Sequence, residues 1–274
     1  MSRIIKTKLL LILIVMLFLV SCTQSAADEE VNVREKDGME MVYVPEGTFI
    51  MGTSEEQKAW ILDQDWCADC KKYMIEPEIP QQEVYLDAYW IDKYEVTNAQ
   101  YALCVDDGAC DEPLLLSSPT HEDYYGKRKY ADYPVMYVTF PQAKHYCEWA
   151  GGILPTEAQW EKAANGTDGR LFPWGEALPT CELANFKYDG EPCIGDTARV
   201  GKYPEGASPY GAMDMAGNVT EWVMDSAERE VCHYHRGGDW NVDTFNIRTH
   251  RRLCTESNIL TKNYSIGFRC IMAP

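Results

Sequence analysis

The chain has 274 residues, 46% hydrophobic and 12% aromatic, with 43 Asp+Glu against 25 Lys+Arg and a formal net charge of −18. That apolar share belongs to a folded domain, and eight Trp with 17 Tyr supply area for a sizeable core. The charge sign excludes nucleic acid as a partner, because a phosphate backbone rewards Lys and Arg and repels carboxylates.

At the N-terminus, Arg3, Lys6 and Lys8 precede an apolar run over residues 9–20. The run is too short to span a bilayer, which needs ~20 residues, and suits the core of a signal peptide. It ends in Leu19-Val20-Ser21-Cys22, which resembles the bacterial lipoprotein cleavage box, in which the Cys becomes the lipid-bearing N-terminus. The expected organisation is a signal peptide over 1–21, lipidation at Cys22, an acidic tether over 22–37 and one domain over 38–274. The protein would then be held by its lipid in the bacterial cell envelope, on the outer membrane or the cell surface.

Strands are expected over 40–44 and 48–51, joined as a hairpin through Pro45-Glu-Gly47, and over 84–91, where apolar and polar residues alternate. Thr97 is placed to cap a helix through Gln100, Tyr101 and Cys104. After Thr139, Pro141 sits in a first helical turn, and Ala143, Tyr146, Cys147 and Ala150 recur at helical spacing until Gly151-Gly152. Thr156 and Glu157 open a third short helix through Ala164. Loops dominate up to Gly217, and short strands are expected over 221–224 and 267–271. The fold class is α+β with little regular structure.

Eleven cysteines fit an oxidising compartment. With Cys22 set aside, an even set of ten remains, and spacing leaves their connectivity open. Cys104 with Cys110 and Cys181 with Cys193 bracket turn-rich stretches and are candidate local pairs. Cys67-Ala-Asp-Cys70 has the spacing of a redox pair, but Tyr73-Met-Ile-Glu-Pro-Glu-Ile-Pro80 does not continue as the helix that such a pair requires. No pair of pairs marks a Cys₄ zinc site.

Gly47-Thr-Phe-Ile-Met-Gly52, Asp92-Lys-Tyr-Glu-Val-Thr-Asn98, Pro134-Val-Met-Tyr-Val-Thr139 and Leu154-Pro-Thr-Glu-Ala-Gln-Trp-Glu161 follow one another along the chain. Phe172-Pro-Trp-Gly175, Ser208-Pro-Tyr-Gly211, Asp214-Met-Ala-Gly-Asn-Val-Thr-Glu-Trp222, Arg236-Gly-Gly-Asp-Trp240 and Gly267-Phe-Arg-Cys270 complete the series. In content and order these motifs resemble the formylglycine-generating enzyme (sulfatase-modifying factor) family. The resemblance implies a C-type-lectin-like variant fold and a disulfide between Cys147 and Cys270. It also implies oxidation of a sulfatase cysteine to formylglycine by copper(I) on two cysteines that follow the Arg-Gly-Gly motif. Copper(I) is a soft ion that needs thiolates. Here those places are Val242 and Ile247, and the serine that usually follows the glycines is Asp239. Cys254 lies outside the required spacing, with Cys232 as its candidate partner. Copper and formylglycine generation are therefore not expected.

The resemblance also implies a structural calcium site with Asp214 and Glu221 as carboxylates and Gly217 and Val219 as main-chain carbonyls, an all-oxygen set of the kind calcium takes. A second calcium site would begin at Asn185 and Phe186, with its later ligands in the divergent stretch 189–196. His233 and His235, at i and i+2 of a strand, are candidates for an iron site, with His250 or Asp239 as a third ligand.

Three readings of function follow. The leading one is a lipid-anchored binding or structural module without catalysis, whose peptide, protein or glycan ligand lies against Trp240, Asp243, Phe245, Arg248, His250 and Arg251. The arginines there suggest a carboxylate- or phosphate-bearing ligand. The second is a copper or nonheme-iron oxidoreductase of the same family. The third is a surface-display protein with a diversified C-terminal segment.

Overall fold

The sequence repeats one local instruction four times: Ser54-x-x-Gln57, Thr97-x-x-Gln100, Thr139-x-x-Gln142 and Thr156-x-x-Gln159. In the computed structural model, which describes residues 32–226, 232–255 and 265–274, each of these is a closed capping box. The hydroxyl accepts from the Gln backbone N–H, and the Gln carbonyl oxygen accepts from the cap's own N–H, at 3.1 and 3.0 Å for Ser54. The boxes open α1 (Glu55–Leu62), α2 (Asn98–Asp106), α3 (Phe140–Trp149) and α4 (Glu157–Asn165). The last three match the helices expected from Thr97, Thr139 and Thr156, and α1 is additional.

The strands are β1 (Asn32–Val33), β2 (Glu40–Val44), β3 (Gly47–Met51), β4 (Gln82–Leu86), β5 (Tyr89–Asp92), β6 (Lys187–Tyr188) and β7 (Glu191–Pro192). They continue with β8 (Thr220–Ser226), β9 (His233–Arg236), β10 (Arg252–Thr255), β11 (Ile266–Gly267) and β12 (Ile271–Met272). One sheet has the order β1-β2-β5-β12, a second β10-β9-β8-β11, and β3-β4 and β6-β7 are two-stranded. In the first sheet Val42, Val44, Tyr89, Ile91 and Ile271 pack to one side against Trp160, Ala163 and Ala164 of α4. Met41 points to the other side, into a core of Tyr101, Tyr146, Cys147, Phe268 and Cys270. This sheet therefore divides α2 and α3 from α4, and a disulfide between Cys147 and Cys270 ties α3 to the approach to β12.

Two expectations are corrected. Residues 40–51 do not form a hairpin, because both edges of β2 are occupied by β1 and β5, so β3 leaves that sheet and pairs with β4. The run 84–91 is two strands in two sheets, broken at Asp87-Ala88. The folded unit also reaches into the expected tether: β1 pairs with β2, and Arg34 is buried between Asp37 and Asp92. The signal segment and Cys22 lie outside the described residues. Among those described, no helix is long and apolar enough to cross a membrane.

Cysteines 67 and 70, 104 and 110, 147 and 270, 181 and 193, and 232 and 254 are bonded in pairs. Three of the bonds have one end in an α-helix or a strand, with Cys104 in α2, Cys147 in α3 and Cys254 in β10, and each covalent link restricts the unfolded chain.

Candidate functional site

The chain leaves β9 through Gly237 and Gly238, both at positive φ of 91° and 68°. A Cβ on Gly238 would stand 2.6 Å from the Asn246 carbonyl oxygen, so only glycine lets the segment fold back this tightly. Beyond the turn, the Trp240 N–H donates to the Asn218 carbonyl at 3.0 Å, and the Asn241 N–H donates to Asp239 Oδ1 at 2.7 Å. The Lys187 N–H donates to the Val242 carbonyl, which joins β6 to this loop. These contacts hold one wall of a cavity of about 340 Å³ whose other walls come from β8, β10 and β11. Thr220, His235, Asp239, Trp240, Leu253 and Ile266 line it, with Val242, Asn241, Ser265 and Pro119 at its rim.

Among the residues with polar groups that line this space are His235, Asp239 and Trp240. His235 is buried, and burial pushes its pKa down to about 4. The Thr220 hydroxyl donates to the Arg236 carbonyl at 2.9 Å, so its oxygen receives the proton of His235 Nδ1 at 2.9 Å. Nε2 then accepts from the Thr255 hydroxyl at 3.0 Å. Both ring nitrogens are used and the imidazole is neutral. Asp239 is raised from the ordinary carboxylate value by burial, against the pull of Asn241, Ser265 and Lys187. The indole N–H of Trp240, a residue 8% exposed, is itself buried and has no hydrogen-bond partner among the described residues.

The expected ligand residues divide. Trp240 lines the cavity. Asp243 is exposed and accepts from the Asn246 side chain at 2.9 Å. Arg248 and Phe245 are interior, and the reading that Arg248 and Arg251 meet an anionic ligand is corrected. Arg248 pairs with Glu78 with neither side chain exposed. Arg251 donates to Asn246 Oδ1 and to the Met74 carbonyl, and the two guanidinium groups pack on the Phe245 ring at 4.3 and 5.1 Å. His250 lies in a second, polar cavity, its Nδ1 against Thr53 Oγ1 at 3.1 Å. The Thr53 hydroxyl donates to Glu78, so His250 carries its proton on Nδ1, and burial lowers its pKa to about 3. Glu78 and Met74 lie 170 and 177 positions from the arginines that they hold, so the sequence alone does not mark Arg248 and Arg251 as buried.

At the two places where thiolates would hold copper(I), Val242 is half-buried at the cavity rim and Ile247 is fully buried against Phe172, Phe186 and Phe245. Every cysteine among the described residues is in a disulfide. His233 and His235 do not form the iron pair that strand spacing suggests. His233 stacks on Phe140 at 3.5 Å while His235 is held by its two threonines. Among the described residues no three His, Cys, Asp or Glu side chains are grouped to hold a metal.

The residues of the expected calcium loop do not fit the ion. Glu221 accepts from Arg269 Nη2 and Nε, both at 2.7 Å, and from Trp160 Nε1 at 2.7 Å, so its two oxygens already face donors. Asp214 accepts from the Gly201 N–H at 2.6 Å. In the second expected site, Asn185 Oδ1 is buried without a partner, but the Phe186 carbonyl accepts from Cys193, and Asp196 accepts from Ser118, Thr120 and Thr197. One neutral oxygen is short of the six or so that calcium requires.

Residues that sequence reasoning did not single out complete the cavity: Thr220, Leu253, Ser265 and Ile266. Asp239 drew notice only as a lost serine and a candidate ligand for iron.

The chain matches the family described as sulfatase-modifying factor enzyme 1-like domain over residues 27–274. It is 34% identical over 207 residues to hercynine oxygenase of Mycolicibacterium smegmatis, covering 66% of this chain and 44% of that protein. It is 30% identical over 231 residues to the formylglycine-generating enzyme of Bos taurus, covering 68% and 57%. The chain thus spans about half the length of these relatives. Among solved structures, PvdO from Pseudomonas aeruginosa superposes with a TM-score of 0.66 at 24% identity, covering 90% of this chain and 98% of that one, which is a likeness of fold.

Proposed function

The chain belongs to the sulfatase-modifying factor enzyme 1-like family, and on that premise we propose that it is an exported, lipid-anchored binding module that does not generate formylglycine. One observation carries the reading. The two copper positions of the family hold Val242 and Ile247, and all ten cysteines of the described domain are tied in disulfides, so no thiolate is left to bind copper(I) or to exchange with a substrate cysteine. What stands beside Val242 is a cavity with an apolar wall and a carboxylate, which is the make-up of a small-ligand site. The Leu19-Val20-Ser21-Cys22 box supports the anchor, and five disulfides agree with folding outside a reducing cytoplasm.

Copper(I) titration against a competing chelator tests the first half: no tight equivalent is expected, and a stoichiometric site on the folded domain would sink the reading. Fractionation of cells carrying Cys22→Ser tests the second. The variant should leave the membrane fraction, and unchanged membrane retention would rule out the lipid as anchor. The iron alternative has no support from His235, whose two nitrogens are both hydrogen-bonded.

A further inference from the structure

Resting on the reading that the cavity beside Trp240 is the ligand site, we propose that it takes a primary ammonium compound with an apolar body. A leucine-like side chain that carries a free amine has this chemistry. The charge at the cavity decides the sign of the ligand. Asp239 is the charged side chain lining it, and His235, the other ionisable lining group, is neutral. Among the described residues Lys187 is the one cation whose field reaches Asp239.

The arginines that would have favoured an anion are occupied elsewhere, Arg248 by Glu78, Arg251 by Asn246 and Met74, and Arg236 and Arg252 by Glu157. A carboxylate ligand would meet Asp239 as a like charge, whereas an ammonium would gain a charge-assisted hydrogen bond in a low-dielectric site.

Val242, Leu253 and Ile266 supply the apolar wall for the side chain of the ligand. A cavity of about 340 Å³ is at the small end of ligand sites, which suits one residue rather than a long peptide.

Calorimetry on the mature chain in detergent, with three probes of equal body, tests this: leucinamide, N-acetyl-leucinamide and N-acetyl-leucine. Leucinamide should bind tightest. Asp239→Asn keeps an acceptor for the Asn241 N–H and should weaken leucinamide by about ten- to hundred-fold, the range for a lost charge-assisted bond, while leaving N-acetyl-leucinamide unchanged. Val242→Trp, which fills the cavity, should weaken all binding. If N-acetyl-leucine binds as well as leucinamide, or leucinamide binding survives Asp239→Asn, the ammonium assignment falls while the cavity stands as a ligand site. If no probe binds the folded wild type, the reading of the cavity as the ligand site falls with it.

Discussion

Arg248 and Glu78, 170 positions apart in sequence, form a two-point ion pair with no exposure of either side chain, Nη1 to Oε2 at 2.8 Å and Nη2 to Oε1 at 2.9 Å. Burial alone would raise the Glu78 carboxyl, and Arg248 and Thr53 more than reverse this, holding it below its ordinary value. The pair fastens the segment after the Gly237-Gly238 turn to the stretch between α1 and β4.

Arg248→Ala leaves Glu78 as an uncompensated buried charge. It should lower the free energy of unfolding by about 3–5 kcal/mol. Urea denaturation of wild type, Arg248→Ala and the Arg248→Met/Glu78→Leu double variant checks this. The double variant should recover much of the loss, because an apolar pair of similar bulk leaves no charge behind. A single variant as stable as wild type would mean that the arginine serves something other than packing.

Asp214 provides a pH signature. It is fully buried, and burial with the nearby Glu221 pushes it up to about 6, although the Gly201 N–H and Arg269 pull the other way. A carboxyl raised in the folded state contributes stability that is complete below its unfolded value of 3.8 and is lost as pH rises through about 6. Wild type should therefore lose on the order of 2–3 kcal/mol relative to Asp214→Asn between pH 4 and pH 7. Asn tolerates the positive φ of 59° at this position, so the comparison isolates the charge. Parallel slopes for the two proteins in urea titrations at both pH values would contradict the assignment.

How far the sequence reading reached depends on the range of the interaction concerned. The helices after Thr97, Thr139 and Thr156 were legible because a capping box is complete within four residues, and α1 carries the same signal in Ser54-Glu-Glu-Gln57. The β3–β4 pairing was not legible, because Gly47 meets Leu86 across an insertion that contains α1. Of the ligand residues expected from the sequence, Trp240 is the one that lines the cavity. Arg248 was misread as a surface group because an isolated Arg in sequence carries no mark of a partner as distant as Glu78. Asp239 acquires its role only when β8, β9, β10 and β11 bring Thr220, His235, Leu253 and Ile266 around it.

Removal of divalent ions should leave the domain unaltered. Glu221 is already neutralised by Arg269 and bonded to Trp160, so the loop from Asp214 has an internal cation in the place where calcium was expected. Melting temperatures with excess chelator and with millimolar calcium should coincide. A rise with calcium would mean that the Arg269–Glu221 pair opens to admit the ion. Arg269→Met should, by contrast, destabilise in either condition, by about 3–5 kcal/mol.

The most direct test of the central claim is the intact mass of a sulfatase-type cysteine peptide after incubation with the purified domain, oxygen and copper(I), with the bovine formylglycine-generating enzyme as a parallel control. With Val242 and Ile247 at the copper positions and every described cysteine in a disulfide, the peptide should return unchanged while the control converts it. Conversion of the cysteine to formylglycine by the domain itself would contradict the claim and require a metal site of different make-up.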